Sequence, residues 1–524
     1  MIGLRMASLY CLSMNDDIVI YWLKRDFRLV DNPALTEALH KNRQVCAIYI
    51  LEPSFLEASE TSAFHVHAVL QALNDLRKKI NSAGGQLAIF KGEVVAVLDQ
   101  LFSLLPFRGI YSHEEIGILR TYERDIAVAK WCKQQGVTWK EIPQTGVFRG
   151  LKDRDQRQKL WKQFTFSPIL PRPSADLLSK LTIPKKWKSI ALAGQRELQF
   201  EDTPFAMTDS QRARLQTVSE TAAEATLQSF LYERGIDYKG GISSPLTAIT
   251  AGSRLSVHLA WGTISGRRVY QATQARKEEL KISEDQTAKR WRASLTSFLS
   301  RLHWRDHFIQ RLETEPKMEL EPLNPAFKEL QYDNRSDFLS AWTNGRTGFP
   351  LVDACIRCLQ VTGFINFRMR AMLASVACHT LHLDWRLIDH PMASMYTDYE
   401  PGIHISQLQM QASVVGINTV RIYSPNKQIV DQDPDTIFIK EWVPELRDFS
   451  AEAITKHRQE ALGDYPAQLV DWWAASREMK DRIWTIRKLA ASQQAAREVY
   501  EKHGSRKGPR GRKGNNRKNK THEQ

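Results

Sequence analysis

The sequence predicts two domains of different classes: an α/β domain with a parallel sheet, followed by an all-α domain. Up to about residue 145, short apolar runs alternate with stretches of helical periodicity, a pattern typical of a parallel sheet covered by helices. From about residue 223 onward the periodicity is helical almost throughout, and β-branched runs are few. A chain of 524 residues is long enough for two or three domains of ordinary size.

Five apolar runs are predicted to be buried strands of the first domain, which we assign to residues 15–145. They are 18–23 (IVIYWL), 45–51 (VCAIYIL), 86–91 (QLAIFK), 109–113 (GIYSH) and 137–142 (VTWKEI). The stretch 64–82 repeats apolar residues at i, i+3 and i+4 and is predicted to be a helix. Ligands of such sheets bind at the carboxyl ends of the strands. No GxGxxG or GxxxxGK[ST] pattern occurs here, so neither a dinucleotide nor a P-loop fingerprint supports this half.

The rest of the chain divides into a connector and a large helical domain. Proline and basic residues interrupt residues 146–222, which we predict to connect the two domains. The all-α domain is assigned to residues 223–495, with long helices at 349–360 and 367–381. Because this domain is too large for one simple bundle, we expect it to be built around a cavity. The polar stretch 395–413 is predicted to be loop-like.

The composition, with 42% hydrophobic and 25% charged residues, is that of a soluble globular protein. No apolar run approaches the ~18–20 residues of a membrane span, and the N-terminus lacks a signal-peptide pattern. We therefore expect a cytoplasmic protein that starts at Met1 or Met14. The six cysteines form neither a disulfide framework nor a metal-binding spacing, so no metal is expected. Cys355 and Cys358 share a helix face and are predicted to be core residues.

The net charge of +14 is concentrated near the C-terminus. Nine Lys and Arg residues and no acidic residue lie between Lys502 and Lys520, so this segment carries most of the excess. Residues 500–524 are predicted to be a disordered basic tail. Such tails bind nucleic acid by neutralising phosphates without reading sequence, or they only keep a chain solvated.

Two segments of the second half contain residue types that suit a ligand. In the segment 252–265 (GSRLSVHLAWGTIS), a Gly/Ser/Thr-rich turn runs into an amphipathic helix. Free backbone N–H groups and hydroxyls there either hold a phosphate or cap the helix, and the junction consists of Ser253, Arg254, Leu255 and Ser256. In WRDHF (304–308), with Arg301 one turn earlier, an aromatic, a cation and an acid on adjacent helix faces suit a flat heteroaromatic ligand. Alternatively, Trp304 is a core residue.

Two arginines interrupt the apolar helix predicted at 367–381. A buried Arg368 or Arg370 needs an acceptor, most economically a carboxylate or a phosphate. Asp398 and Glu400 follow in the sequence. We predict an ion pair between Arg370 and Asp398, either beside a ligand or as a purely structural salt bridge.

Several blocks, in order and over nearly the whole chain to about residue 445, resemble the photolyase/cryptochrome family. They are IYWLKRDFRLVDNPAL (20–35), GSRLSVHLAWGTIS (252–265), WRDHF (304–308), GRTGFPLVDA (345–354) and VRIYSPNKQ…FIKEWVPEL (420–446). The resemblance implies an α/β antenna domain and a helical domain that holds FAD. It further implies a monomer that acts on UV-damaged DNA, in which excited reduced flavin passes an electron to a flipped-out pyrimidine dimer.

Positions that match the family's motifs receive roles from the resemblance. Flavin contacts fall on Tyr238, Ser253, Arg254, Leu255, Ser256, Arg305, Asp306, Arg370, Asp398, Glu400 and His404, the last of which counts to the position opposite flavin N5. Trp304 and Arg368 would face the lesion, and His404 and Met410 are further candidate catalytic positions. An antenna chromophore, methenyltetrahydrofolate or deazaflavin, is expected near 112–117, where His113, Glu114 and Glu115 either contact it or form a solvated loop.

Other positions depart from the family's pattern. Arg301, Phe367 and Met410 stand where the family has a dimer-contacting Glu, a dimer-contacting Asn and a second pocket Trp. The His pair of (6-4) photolyases falls on Phe367 and Ala371. Of the usual three-Trp electron chain only Trp385 remains, since the other positions are Leu408 and Tyr332. Flavin reduction is therefore expected to run through Trp385 with Tyr332, Tyr396 or Tyr399.

These observations lead to three hypotheses. The first is a photolyase that splits cyclobutane pyrimidine dimers, which the positive charge favours. The second is a cryptochrome-type blue-light photoreceptor without repair activity, which the missing Glu and Asn favour. The third is a (6-4) photolyase that uses His404 as a proton donor.

Overall fold

The computed structural model describes residues 18–192, 196–283 and 285–504. The five predicted strands are all present, each within one residue of its expected bounds: β1 (Ile18–Leu23), β2 (Gln44–Leu51), β3 (Leu87–Lys91), β4 (Gly109–His113) and β5 (Thr138–Ile142). They form one parallel sheet in the order β3-β2-β1-β4-β5. Because the order reverses between β1 and β4, the carboxyl edge has a crevice at this point. Both candidate start methionines and residues 505–524 of the predicted tail lie outside these ranges.

Helices pack on both faces of this sheet, as the alternating pattern predicts. Successive residues of β1 enter two separate apolar cores: Val19 and Tyr21 face one, and Ile20 and Trp22 face the other. The predicted helix at 64–82 is present and begins after a capping box at Ser62. The helices of this part are α1 (Pro33–Lys41), α2 (Pro53–Leu56), α3 (Ala63–Ser82), α4 (Val94–Leu104) and α5 (Leu119–Gln135).

The connector packs against the α/β part over much of its length. Leu181 bridges to Val45 of β2, and Trp187 is fully buried against the sheet's second core. Its apolar residues therefore fill gaps between existing helices, which explains why they show little periodicity. Its helices are α6 (Arg157–Phe166), α7 (Ala175–Leu178), α8 (Lys185–Lys188) and α9 (Asp209–Arg212), with 3-10 turns at Arg154–Gln156 and Phe200–Asp202.

The remaining described chain is helical, as predicted. The helices expected at 349–360 and 367–381 are present, and Cys355 and Cys358 are buried core residues. The α-helices are α10 (Glu220–Ser229), α11 (Tyr238–Gly241), α12 (Ala248–Ala251), α13 (Ser256–Ala260), α14 (Gly266–Glu279), α15 (Gln286–Thr314), α16 (Ser336–Thr343), α17 (Pro350–Thr362), α18 (Phe367–His379), α19 (Trp385–Met395), α20 (Pro401–Gln411), α21 (Pro425–Gln432), α22 (Ile437–Trp442), α23 (Ala451–Lys456), α24 (Trp472–Lys488) and α25 (Ala490–His503). A π-helical turn at Phe230–Arg234 follows α10.

The prediction of a loop at 395–413 is wrong over most of its length, because α20 occupies Pro401–Gln411. Pro401 begins this helix, a position where its missing N–H costs nothing. The buried face of α20 is partly polar: Gln409 donates to two backbone carbonyls, and Ser406 donates to the carbonyl of Phe308. Gly402 lies against the backbone of Ile309, so α15 and α20 approach closely. Buried polar side chains with their own partners thus concealed the helical periodicity.

A buried ion pair joins the α/β part to the helical part. Asp31, in the segment after β1, accepts hydrogen bonds from Ser265 and from the guanidinium of Arg267 at the start of α14. Arg28 from the same segment donates to the carbonyl of Gly262 at 3.0 Å. Over residues 18–192, 196–283 and 285–504, no helix is both long and apolar enough to cross a membrane.

Candidate functional site

Arg254, Phe364, Arg370, Tyr396 and Asp398 converge in the helical part; we call them the Phe364 group. The Arg254 guanidinium lies 3.6 Å from the ring centroid of Phe364, and that of Arg370 lies 4.2 Å from the ring of Tyr396. The predicted ion pair is present, with Arg370 Nη2 3.0 Å from Asp398 Oδ1. Arg370 Nε also donates to the carbonyl of Ile365 at 2.9 Å. Two cations therefore share one carboxylate and two aromatic rings.

The Phe364 group keeps polar atoms without partners in a buried setting. Among the described residues of this group, Arg254 Nη1 and the hydroxyl of Tyr396 are buried and have no hydrogen-bond partner. Burial lowers the pKa of Arg254 to about 10, although Asp398 opposes the shift. Buried donors and acceptors of this kind carry a free-energy cost unless a ligand satisfies them. The surplus cation and the flanking rings fit an anionic, flat cofactor.

The turn before α13 supplies Arg254 to this group. Arg254 has φ +59°, in the left-handed region that a side chain other than glycine rarely adopts, and the turn points its guanidinium at Phe364. Leu255 is fully buried and Ser256 is exposed. The amphipathic helix expected after this turn is divided, because α13 has only five residues before α14 begins. A single short turn offers little helix dipole, so the case for a phosphate there rests on Arg254 rather than on a helix start.

Tyr238 and Ser253, two other predicted flavin contacts, have partners within the protein. Tyr238 packs its ring against Phe230 and Phe298 in an apolar core, and burial raises its pKa to about 12. Ser253 accepts at its backbone carbonyl from Arg234 at 2.7 Å. These contacts stabilise the turn that supplies Arg254.

Arg305, Asp306 and Glu400 lie toward the crevice at the carboxyl edge of the sheet. Arg305 pairs with Asp306 at 2.9 Å and with Glu400 at 3.4 Å. Burial raises the pKa of Glu400, while Arg25 and Arg305 oppose the shift. The crevice lies between the two parts of the molecule and is lined by Arg25, Arg28, Glu114, Glu115, Gln144, Thr145, Gly262, Arg305 and Glu400, among others. Arg305 and Glu400, to which the resemblance gives flavin contacts, thus line this crevice.

The side chains of 112–117, where an antenna chromophore is predicted, differ in their surroundings. His113 is fully buried; its Nδ1 donates to Asp26 at 2.7 Å and its Nε2 accepts from the N–H of Ala34. Burial lowers the pKa of His113, so the imidazole is neutral. His113 lies in β4 with both nitrogens engaged, so the alternative of a solvated loop residue is wrong for it, and its contact with a chromophore stays a prediction. Glu114 and Glu115 do line the crevice.

A network of buried charged side chains adjoins the crevice. Lys24 pairs with Asp125 at 2.9 Å, Arg124 with Glu115 at 2.7 Å, and the network continues to Glu52, Glu141 and Arg149. Burial alone would raise the pKa of Glu115, but Arg124 and Lys24 lower it overall. The sequence gives no sign of this network, because its members come from five separate segments.

A partly exposed aromatic face is present on α15. The Trp304 side chain is 38% exposed and stacks on Phe308, with centroids 5.7 Å apart and planes inclined by 27°. Arg301 is exposed one turn earlier on the same helix. On α18, Phe367 is 50% exposed and Arg368 half-buried; Met410 on α20 is also half-buried. Trp304 is therefore not a core residue.

His404 forms a pair that the sequence did not predict. Its Nε2 lies 2.7 Å from Asp389 Oδ1 on α19, and the rings of Tyr396 and Tyr399 lie 5.9 and 5.5 Å from its own. Tyr332, Trp385, Tyr396 and Tyr399, the predicted electron-transfer residues, all belong to or pack against one apolar core. Burial raises the pKa of Tyr332, Tyr396 and Tyr399, which keeps their hydroxyls protonated.

Comparison with known proteins agrees with this arrangement. A family model described as DNA photolyase matches residues 19–168, and one described as the FAD binding domain of DNA photolyase matches residues 298–485. A deoxyribodipyrimidine photo-lyase from Synechococcus sp. is 26% identical over 471 residues, which cover 86% of this chain and 93% of that relative. A cryptochrome DASH from Gloeobacter violaceus is 26% identical over 506 residues, which cover 90% of this chain and 97% of that relative.

Structural comparison gives the same fold. The solved structure of a bacterial class III photolyase from Agrobacterium tumefaciens matches with a TM-score of 0.76 at 23% identity, covering 92% of this chain and 100% of that chain. The α/β part and the helical part each match their own family model, in the expected order. The helical part is therefore an FAD-binding domain, and FAD is the cofactor whose charge and flat ring the Phe364 group suits. The chain belongs to the photolyase/cryptochrome superfamily.

Proposed function

We propose that this protein is a light-dependent DNA repair enzyme that splits cyclobutane pyrimidine dimers. The observation that carries the proposal is the exposed plane of Trp304, held by its stack on Phe308. An exposed aromatic plane stacks an extruded base, a contact worth ~1–3 kcal/mol per base. A dimer has weakened pairing and is therefore cheaper to flip out of the duplex than an intact base. Arg301, one turn before Trp304 in the middle of α15, and Arg368, next to Phe367 at the start of α18, would supply charge for the DNA backbone.

The Phe364 group is proposed to hold FAD, which when bound supplies an electron to the lesion after it absorbs blue light. Arg254 and Arg370 would balance the cofactor's negative charge. Asp398 would fix the guanidinium of Arg370, and Asn366 would accept a hydrogen bond from the ligand. The roles of Tyr238, Ser253, Leu255 and Ser256 are proposed to be structural or through the backbone, since their side chains pack elsewhere or face solvent.

We propose that Trp385 is the first aromatic in the reduction route, with Tyr332, Tyr396 and Tyr399 as neighbours. Oxidation of a tyrosine releases its phenolic proton, which then needs an acceptor. Within the described chain, the hydroxyls of Tyr332 and Tyr396 have no hydrogen-bond partner. Trp385 can lose an electron without that requirement, so it is the better relay.

Two alternatives rest on specific observations. A photoreceptor without repair activity is favoured by Phe367, whose exposed ring stands where the resemblance expects an amide that contacts the dimer. A (6-4) photolyase would use His404 as a proton donor. However, His404 Nε2 is already paired with Asp389, which makes that donation less favourable.

The crevice at the carboxyl edge of the sheet is the proposed antenna site. It lies at the β1/β4 switch point, where open α/β sheets bind ligands. A pterin or a deazaflavin would meet Glu114, Gln144 and Arg25 there.

The test is a repair assay on defined lesions. The protein is reconstituted with FAD, its absorbance is recorded, and it is illuminated with blue light and a reductant. Its substrates are oligonucleotides that carry either one cyclobutane dimer or one (6-4) photoproduct. We expect flavin absorbance and light-dependent loss of the cyclobutane dimer, quantified by mass spectrometry. Flavin without loss of either lesion would establish the photoreceptor alternative, and loss of the (6-4) product alone would establish the third hypothesis.

Variants of two exposed tryptophans sharpen this test. Trp304→Ala removes the stacking plane and should lower repair at subsaturating DNA about tenfold, since ~1.4 kcal/mol of stacking corresponds to that factor. Trp484→Ala is the matched control, because Trp484 on α24 is similarly exposed at 41% and lies outside the site. Equal repair by both variants would remove Trp304 from the lesion-binding face.

A further inference from the structure

A second cationic cluster lies outside the site described above. It consists of Arg154 in the 3-10 turn before α6, Arg157 at the start of α6, His307 and Arg311 on α15, and His503 at the end of α25; we call it the arginine cluster. Arg311 is 4% exposed and Arg157 is 6% exposed. All four other members lie within electrostatic reach of His307. Three chain segments that are distant in sequence thus bring positive charge to one buried point.

The guanidinium of Arg311 is nearly without partners. Its Nη2 lies 3.5 Å from His307 Nε2, a long contact, and its plane lies 5.6 Å from the ring of Phe308. In the part of the chain that the structure describes, Arg311 Nε and Nη1 have no hydrogen-bond partner, nor do Arg157 Nε and Nη2. Four donors that belong to permanently charged groups are therefore buried and unpaired.

Neither of the two nearby carboxylates pairs with Arg157 or Arg311. Glu315 is shared by Lys502 at 2.9 Å and His503 at 3.7 Å, at the edge of the cluster. Asp306 accepts from Trp161 and pairs with Arg305. Burial and the surrounding cations lower the pKa of His307 to about 2, and burial lowers the pKa of Arg311 to about 10. The neutral His307 accepts from Arg311, so its proton lies on Nδ1 and is available as a further donor.

Such an arrangement is unfavourable for the isolated protein. A buried charge without a partner costs free energy, and a well-packed apolar residue of similar size would serve the fold better. An oxyanion removes the penalty, because guanidinium groups donate pairs of parallel hydrogen bonds to the oxygens of a phosphate. The available donors belong to two guanidinium groups and one imidazole, a number that suits the several oxygens around one phosphorus atom.

We propose that the arginine cluster is a phosphate-binding site, separate from the cofactor site. It adjoins the proposed DNA-binding face, since the ring of His307 lies 5.1 Å from that of Trp304. Exposed Lys152, Lys159 and Lys162 lie on the connector segment that carries Arg157. The phosphate is either part of the DNA backbone or a free phosphate. The site does not depend on the repair activity, so it can be tested without flavin or light.

The first test measures the melting temperature of the protein with and without inorganic phosphate, at constant ionic strength set with chloride. Phosphate should raise the Tm of the wild-type protein by roughly 2 °C or more at saturation, because it binds the folded state only. Arg311→Met should lose this shift and, without phosphate, should melt no lower than the wild-type protein, since an unpaired buried charge has been removed. Arg487→Met is the control and should keep the shift, because Arg487 donates to backbone carbonyls elsewhere.

The second test identifies the source of the phosphate. If it belongs to DNA, an undamaged duplex should compete with inorganic phosphate, and Arg311→Met should reduce the salt dependence of DNA binding by about one phosphate contact. If it is free phosphate, DNA and phosphate should bind together without competition. Arg157→Met serves as a second variant should Arg311→Met fail to fold. No phosphate-dependent shift in the wild-type protein, or an equal shift in the Arg311 and Arg157 variants, would overturn the proposal.

Discussion

Replacing Arg370 by Met tests the ion pair at the centre of the Phe364 group. The change removes the cation that lies 3.0 Å from Asp398 Oδ1 and leaves a side chain of similar length. The Asp398 side chain is 6% exposed, so water replaces the lost partner only poorly. The variant therefore holds a buried carboxylate that still has Arg254 as a cationic neighbour.

The expected loss of stability follows from burial. Removing one partner of a fully buried pair costs about 3–5 kcal/mol. Here Arg370 keeps about a fifth of its side chain exposed and Arg254 remains nearby, which reduces the cost to about 2 kcal/mol. Loss of the contact with the ring of Tyr396, at 4.2 Å, adds about 0.5–1 kcal/mol. We expect a total of about 2–3 kcal/mol in the protein without cofactor.

Urea unfolding of the apoprotein measures this loss, and absorbance of the purified protein measures retained FAD. Arg370→Met should unfold earlier and bind FAD more weakly. Adding Asp398→Asn should recover part of the stability, because the unpaired charge is then gone. Lys456→Met is the control and should change stability by less than about 0.5 kcal/mol, since its pair with Glu452 is exposed. The reasoning fails if Arg370→Met unfolds within about 0.5 kcal/mol of the wild-type protein and keeps its full FAD content.

Two further predictions concern the whole fold. Asp31→Asn removes the negative charge and one of the two acceptor oxygens that Arg267 and Ser265 share between the two parts. It should cost about 3 kcal/mol in calorimetry, and an unchanged melting curve would contradict this. Acidification from about pH 6.5 to 4 should also destabilise the protein, because burial lowers the pKa of four histidines to about 4. These histidines are His65, His67, His258 and His379. Over this pH range they bind protons in the unfolded chain only, so the free energy of unfolding should rise with pH. A flat profile of stability against pH would refute the prediction.

The spacing of apolar residues was sufficient to predict the secondary structure wherever the buried side chains are apolar. The runs at 18–23 and 109–113 match β1 and β4 because each strand is buried by helices on both faces. The same reasoning failed for α20, whose buried face holds Ser406 and Gln409 with their own hydrogen-bond partners. Helical periodicity is detected from the spacing of hydrophobic residues. It therefore misses a polar side chain that is buried and has hydrogen-bond partners inside the protein.

The candidate site could be predicted from the sequence where one buried charged residue needs a partner of opposite charge. Arg370 within an apolar helix required an acid, and Asp398, which follows in the sequence, is that acid. Arg254 gave no such sign, because its partner ring, Phe364, is apolar and distant in the sequence. The arginine cluster was equally hidden: each of its arginines lies in a segment that reads as an ordinary basic surface, and only packing shows that they are buried together.

The side chains at the carboxyl edge of the sheet restrict where an antenna can bind. A chromophore that used Lys24 or Arg124 would have to break buried ion pairs, at a cost of several kcal/mol. Arg25 carries no such cost: it stacks on Trp261, and its Nε has no hydrogen-bond partner in the described chain. Glu114 lines the same crevice, and burial raises its pKa, so it can donate a hydrogen bond when protonated. An antenna chromophore is therefore expected in contact with Arg25, on the side of the crevice that faces the helical part. There it would lie closer to the FAD-binding domain than a chromophore bound at the centre of the sheet.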